Sequence, residues 1–213
     1  PAGRAVPPPP PLLDAAHTQD DTMTFLEGLL ETLAARHGAP PADLFKIQEK
    51  ELRCLHGTEE PRPIKGGPHE YLMLEIEEGT GTLAAALDKH FGRELMRGDN
   101  RIWNEELQIK ETVWKTPFIE EASLPQVLVM QLKRFKHHVT WDGRFESHKL
   151  NTKVEFPAVL DLSRYVSRQT GAYEAEPAPA GRHVYQLQGV IVHSGLTVHS
   201  GHYYSFLRAG GGG

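Results

Sequence analysis

One segment near the end of the chain, residues 189–206, constrains the fold more than any other. Residues 190–192 are an apolar run typical of a buried strand, and a Gly/Ser loop follows it. Residues 201–206 then form an aromatic-rich second strand, so His202 lies where the loop meets the strand. Its neighbour Gly201 lets another backbone come close. A catalytic imidazole suits this position, accessible at the loop and fixed by a strand, although a structural histidine in a hairpin is the alternative.

The motif around His202 resembles that of a known family. Val192-His-Ser-Gly195 and Gly201-His-Tyr-Tyr-Ser205 are similar to the histidine box of the ubiquitin-specific proteases, papain-like cysteine peptidases that remove ubiquitin. The resemblance implies that His202 is the general base and that Tyr203 lies against ubiquitin's C-terminal tail. The alternative of a plain structural domain predicts no saturable binding of ubiquitin.

An amphipathic helix is predicted from the Gln19-Asp-Asp-Thr-Met-Thr-Phe-Leu26 segment to about His37. Apolar residues recur at helical spacing, at positions 25, 26, 29, 30 and 33, and Gly38 with the following prolines ends the helix. The segment resembles the family's Gln-Gln-Asp-x-x-Glu-Phe-Leu motif, with Thr24 in place of the glutamate. The resemblance implies that Asp21 pairs with an arginine of the ubiquitin tail, while a helix-capping role remains open.

The run from Ser123 to Phe135 predicts a central strand, because it is apolar from Val127 onward. It contains Leu-Pro and then Leu-Lys-Arg-Phe, a segment characteristic of the family. The resemblance implies that Phe135 lines the channel for the ubiquitin tail, although a core aromatic is equally consistent with the pattern. Asp142-Gly143 then predicts a hairpin turn between residues 137 and 145.

The sequence predicts neither a metal nor a cofactor. In the family that the chain resembles, the fingers region often carries two Cys-x-x-Cys pairs on a zinc ion, which needs four ligands. Here the chain has a single cysteine, Cys54, and Asn104 and Leu107 stand where the second pair belongs. Cys54 lies in a strand-like run, which does not favour a nucleophile. His193, His199 and His202 share one loop without a carboxylate or a thiol, so we expect no catalytic metal there.

Composition limits the partners. The formal net charge is −5 and no long basic run occurs, which does not favour nucleic-acid binding. No apolar run approaches the roughly 20 residues of a membrane span. A single cysteine suits an intracellular, reducing compartment, the cytoplasm or the nucleus.

We expect three regions: a proline-rich linker (1–18), a partial ubiquitin-specific protease domain (19–208) and a glycine-rich tail (209–213). The linker's five consecutive prolines leave an SH3-type ligand as an alternative. The resemblance implies an α+β, papain-like fold, with β-rich fingers at about 44–120, an antiparallel palm sheet at about 121–208 and part of the thumb. The region 57–68 is predicted to be turns, and 169–182 a flexible loop.

The resemblance implies a thiol-dependent deubiquitinase that hydrolyses the bond after ubiquitin's C-terminal glycine, with ubiquitin and ubiquitinated proteins as partners. The family's Gly-x-x-Asn-x-x-x-Thr-Cys box and its later Trp…Asp/Asn segment are not found in the sequence. We therefore expect a fragment without its nucleophile, which by itself does not hydrolyse ubiquitin conjugates. The alternative is an inactive, ubiquitin-binding pseudo-enzyme or scaffold.

Overall fold

A computed structural model describes residues 22–37, 44–58, 61–170, 174–197 and 200–209, without the side chains of 37, 61–66 and 196–197. The two α-helices are α1 (Thr22–His37) and α2 (Leu83–His90). The strands, in chain order, are β1 (Ile47–Leu55), β2 (Pro61–His69), β3 (Leu72–Glu75), β4 (Glu94–Met96), β5 (Ile102–Asn104), β6 (Ile109–Glu111), β7 (Val113–Glu120), β8 (Met130–Lys133), β9 (Phe135–Val139), β10 (Phe145–Lys149), β11 (Val159–Asp161), β12 (Val166–Gln169), β13 (Ala175–Pro177), β14 (Val184–Gln186), β15 (Gly189–Thr197) and β16 (Ser200–Leu207).

The main sheet contains six of these strands. Its order is β13-β12-β7-β1-β2, with β4 also pairing with β7. Most pairs are antiparallel, but β12 runs parallel to β7 and, in a separate sheet, β3 runs parallel to β8. The α+β class is thus confirmed, with mixed rather than purely antiparallel sheets.

Helix α2 begins at a side-chain cap and closes over the core. Thr82 has extended backbone, and its hydroxyl accepts a hydrogen bond from the Ala85 N–H at 3.1 Å. The buried face of α2 carries Ala86 and Leu87. These pack in a cluster with apolar side chains from five strands and the 159–166 region, among them Ile47, Leu72, Leu74, Ile119, Leu162 and Val166. The core therefore joins α2 to the main sheet and to the β3–β8 pair.

The region 57–68, predicted to be turns, instead contains strand β2, so that prediction was wrong. Three of its residues are proline, which lacks the N–H that a central strand must donate. β2 tolerates them because it lies at the edge of the sheet and pairs only with β1. The pairing with β1, invisible in the local sequence, decides this strand.

The segment predicted as one central strand from Ser123 to Phe135 was also only partly right. It begins with a 3₁₀ turn at Glu121–Ser123, and β8 covers just Met130–Lys133. β8 pairs with β3 alone. Residues 128–132 still contribute apolar side chains to the core, which explains the apolar run without a long strand.

The predicted flexible loop at 169–182 is partly ordered, because β13 pairs with β12. A carboxylate organises the far side of this segment. Asp161 accepts hydrogen bonds from the Ser163 hydroxyl, the Ser163 N–H and the Gly181 N–H. These bonds, the Ser163 hydroxyl first, lower the pKa of Asp161. The loop prediction was therefore wrong for residues 175–177, while 171–173 lie outside the described residues.

Two hairpins, β9–β10 and β15–β16, form separate two-stranded sheets. Both carry exposed apolar side chains, among them Trp141 at the tip of the first and Phe206 in the second. Helix α1 also has an exposed aromatic residue: Phe25 is 54% exposed, whereas Met23 and Leu30 are buried. None of the described helices is both long and apolar enough to cross a membrane.

Candidate active site

The β15–β16 hairpin presents His202. Its Cα pairs with Ser194 across the hairpin, and the next pair is His193 with Tyr203. The regular register is lost between Ser194 and Thr197, so His202 lies where the hairpin becomes irregular. Its side chain is exposed. The sequence predicted His202 at the junction of a loop and a strand; in the structure β15 extends to Thr197 and His202 is the third residue of β16, beside the irregularity.

Two glycines allow the backbone to close around this point. A Cβ on Gly195 would collide with the carbonyl oxygen of Ser200 and would lie 2.8 Å from the Gly201 Cα. Gly201 has φ of +155°, and a Cβ there would collide with the His193 Nε2. Only glycine fits such a close approach of two backbones. The Gly-x-x-x-x-x-Gly spacing of the motif is thus a packing requirement of the hairpin end.

A row of aromatic rings runs from β9 to β16. The rings of Phe135 and His193 lie 6.4 Å apart between centroids, and those of His193 and Tyr203 lie 4.9 Å apart. Phe135 is half-buried and Tyr203 is 43% exposed. The structure therefore brings Phe135 and Tyr203 to either side of the His193 ring. His202 precedes Tyr203 in β16, and successive side chains of a strand point to opposite faces.

One side chain that the sequence did not mark as a site residue binds the end of β15 beside these rings. Lys149, the last residue of β10, donates from its ammonium group to the carbonyl oxygens of His193, at 3.0 Å, and Gly195, at 2.7 Å. The same nitrogen lies 3.3 Å from the His193 Nδ1. Across β9–β10, Lys149 pairs with Phe135. The local sequence does not reveal these contacts, because the partners are 44 and 46 positions away in sequence.

The Leu-Lys-Arg-Phe segment has a separate task for each side chain. Leu132 packs against the core and Lys133 pairs with Glu75 at 3.3 Å. Arg134 donates to the Thr152 carbonyl oxygen at 2.6 Å, which fixes the segment after β10. Phe135 then faces His193. Within this motif, Leu132 therefore packs in the core, and Phe135 contacts the His193 ring.

Cys54 lies away from His202. It is in β1, where its Cα pairs with Pro61 of β2 and Trp114 of β7 in the main sheet, whereas His202 belongs to the separate β15–β16 pair. The nearby His56 ring contacts Trp114. This placement does not join a thiol to the candidate base.

The fingers turn at 104–107 is closed by a side chain. The Asn104 carbonyl accepts hydrogen bonds from the N–H groups of Glu106 and Leu107, and its amide donates to Glu111. Within the described part of the chain, no three His, Cys, Asp or Glu side chains are placed to hold a metal. The absence of zinc stays a prediction. Metal analysis of the purified chain tests it, and one tightly held zinc per chain would contradict it.

Asp21, the predicted partner of the ubiquitin tail, and His199 of the histidine-rich loop lie outside the described residues, as do the predicted linker at 1–18, Gly38 and positions 210–213 of the predicted tail. The predicted helix that follows Asp21 is α1, whose first residue is Thr22. Asp21 is therefore adjacent to the helix start in sequence, and its role stays a prediction.

Known proteins with similar sequences show to which family the chain belongs. The family model "Ubiquitin carboxyl-terminal hydrolase" matches residues 12–212. The chain belongs to the ubiquitin carboxyl-terminal hydrolase family. Mouse "Ubiquitin carboxyl-terminal hydrolase 17-like protein D" is 32% identical over 92% of the chain, and Arabidopsis thaliana "Ubiquitin C-terminal hydrolase 13" is 36% identical over 87% of it.

Solved structures show the same fold for this ubiquitin carboxyl-terminal hydrolase chain. A chain of the SAGA Ubp8 DUB module bound to ubiquitin aldehyde superposes with a TM-score of 0.72 at 26% identity, covering 92% of this chain and 43% of that one. The module bound to monoubiquitin gives 0.69 at 24% identity, with coverage of 92% and 42%. The chain spans 35% of the mouse relative and 14% of the Arabidopsis one.

Proposed function

We propose that this chain supplies the general base, His202, and one wall of the ubiquitin-tail channel to a cysteine-type deubiquitinase. The observation that carries the proposal is the β15–β16 hairpin end, where an exposed His202 is paired with Ser194 beside two glycines that tolerate no side chain. Family membership supports it, as does the likeness to a DUB module bound to ubiquitin aldehyde. Ubiquitin and ubiquitinated proteins are the proposed partners, inside the cell, in the cytoplasm or the nucleus.

The reaction is acyl transfer in two steps. A cysteine thiolate attacks the carbonyl carbon of ubiquitin's terminal glycine; a C–S bond forms, the C–N bond breaks, and the imidazolium gives its proton to the departing amine. Water then attacks the thioester carbonyl carbon and the imidazole takes a proton from that water; a C–O bond forms, the C–S bond breaks, and the carboxylic acid of ubiquitin leaves as the thiolate–imidazolium pair is restored. Within the chain, His202 is positioned for both proton transfers, while Phe135 and Tyr203 flank the path of the tail.

The nucleophile is proposed to come from outside the 213 printed residues. The chain's single cysteine, Cys54, is held mid-strand in the main sheet, away from the β15–β16 pair. A nucleophilic thiol must lie within hydrogen-bond reach of its base. The Cys54 position does not meet this requirement in the described structure.

The test is hydrolysis of a fluorophore from the C-terminus of ubiquitin. We expect no release by the purified 213-residue chain and release by the longer polypeptide that its transcript encodes, provided that a Thr-Cys box lies upstream. Release by the 213 residues alone would contradict the assignment of the nucleophile. A complete reading frame with no such box and no activity would contradict the enzyme proposal.

The second candidate is a ubiquitin-binding protein without hydrolytic activity, and the position of Cys54 is the observation that favours it. Calorimetric titration with ubiquitin separates both candidates from a plain structural domain, which would give no saturable binding. In the same titration, Asp21→Asn tests the proposed pairing with a tail arginine. We expect roughly 10- to 150-fold weaker binding, as for loss of a charge-assisted hydrogen bond. When the arginines of the ubiquitin tail are replaced, Asp21→Asn should not weaken the binding of ubiquitin any further.

A further inference from the structure

We propose that Lys149 is a positioning residue, whose ammonium group fixes the 193–195 segment and thereby the place of the His202 imidazole. The inference rests on the proposed function of His202. It concerns how a residue on one hairpin controls the active hairpin beside it, and it starts from contacts that the proposed reaction does not itself require.

The contacts of Lys149 are concentrated at one place in the fold. The Lys149 nitrogen meets three acceptors on one short stretch of β15: the His193 carbonyl oxygen, the Gly195 carbonyl oxygen and the His193 Nδ1. This stretch includes the point after Ser194 at which the regular pairing of β15 with β16 is lost. Gly195 lies past that point, and a strand end that leaves its ladder has carbonyl oxygens that need donors from elsewhere, while His193 is still in register with Tyr203. Lys149 supplies them from the neighbouring hairpin.

The donor in these contacts is an ammonium group, which has consequences for the His193 ring. An ammonium group donates hydrogen bonds and accepts none, so it requires an unprotonated Nδ1 on His193. Neutral His193 then carries its proton on Nε2, the nitrogen nearest to Gly201. Lys149 therefore selects the tautomer as well as the position of His193.

The bonds from Lys149 to the 193–195 segment, here called the clamp, lie directly across the hairpin from His202. Residue 194 lies between the two clamped carbonyls and is the cross-strand partner of His202. The His193 ring also lies between Phe135 and Tyr203. Charge-assisted hydrogen bonds are about twice as strong as neutral ones, which suits a partly buried lysine for this task. Loss of the ammonium group should thus free the hairpin end while leaving the core intact.

The main experiment compares Lys149→Met with the matched control Lys136→Met in the 213-residue chain by nuclear magnetic resonance. Lys136 is on the same hairpin and is exposed. In the unchanged chain and in Lys136→Met, we expect imidazole ¹⁵N shifts of the Nε2–H tautomer at His193 and rigid backbone at residues 193–195 and 202, with order parameters of about 0.85. In Lys149→Met, these order parameters should fall toward about 0.6, and the His193 shifts should show mixed tautomers. Unchanged shifts and order parameters in Lys149→Met would overturn the proposal.

A measurement on the unchanged chain covers the case in which Lys149→Met does not fold. An ammonium group held by three acceptors exchanges its protons slowly with water, so the Lys149 group should give its own ¹H–¹⁵N signal near neutral pH, correlated with His193. A freely exchanging Lys149 ammonium group would overturn the proposal without any variant.

Kinetics in the longer, active polypeptide separate positioning from plain stabilisation. We expect Lys149→Met to lower kcat about tenfold or more with little change in KM, and Lys149→Arg, which keeps several N–H donors, to lose less. If the resonance data change as expected but the longer polypeptide has no hydrolytic activity at all, the clamp stands and the proposed function fails. If the polypeptide is active and Lys149→Met keeps full kcat, the positioning role fails and the proposed function stands.

Discussion

Replacement of His202 by glutamine in the longer, active polypeptide is expected to lower kcat for fluorophore release by about 10²- to 10⁴-fold, the usual contribution of a general acid–base group. Glutamine keeps a hydrogen-bonding side chain of similar length but cannot take up a proton near neutral pH. KM should change little, because Phe135 and Tyr203, the proposed contacts of the tail, are untouched. Since the His202 side chain is exposed, the melting temperature should also stay the same.

The matched control is His56→Gln, the same chemical change at a histidine beside Trp114 in the main-sheet region. It should leave kcat and KM unaltered. Full activity in His202→Gln would mean that another group acts as the base, and the assignment drawn from the hairpin would be wrong. A loss of activity together with a lower melting temperature would instead point to a structural histidine.

The largest expected effect on stability comes from Leu87→Ala. Leu87 is fully buried on α2 and packs in the core cluster with Leu72 and Leu74. Truncation removes one methine and two methyl carbons and leaves a cavity in a layer that joins the helix to two sheets. We expect a free energy of unfolding lower by about 2–5 kcal/mol.

Urea unfolding measures this change, with the midpoint shifted and the slope m preserved. Leu107→Ala is the matched control: the same truncation in the fingers turn, where the side chain is 57% exposed, should cost less than about 0.5 kcal/mol. Equal effects at the two positions would contradict the placement of the core between α2 and the sheets.

The local sequence was sufficient for elements whose signals lie within a few residues. The spacing of apolar residues predicted the helix that ends at about His37, which is α1, and Asp142-Gly143 predicted the β9–β10 turn. The histidine motif predicted two strands joined by a loop, and the structure has the β15–β16 hairpin, with His202 two residues inside β16 rather than at its first residue. Turn and cap preferences depend on neighbouring atoms, so sequence patterns capture them.

Features that depend on distant partners needed the tertiary structure. β2 is a strand only because β1 supplies its hydrogen bonds, and its prolines are tolerated because the other edge is unpaired within the described sheet. Lys149 donates to carbonyl oxygens on another hairpin, and these contacts cannot be read from the residues around it in sequence. By itself the sequence determined the family, the candidate base and the local elements. The tertiary structure decided which strands pair and which side chain donates to the 193–195 segment, because hydrogen bonds between distant segments leave no periodic trace in the chain.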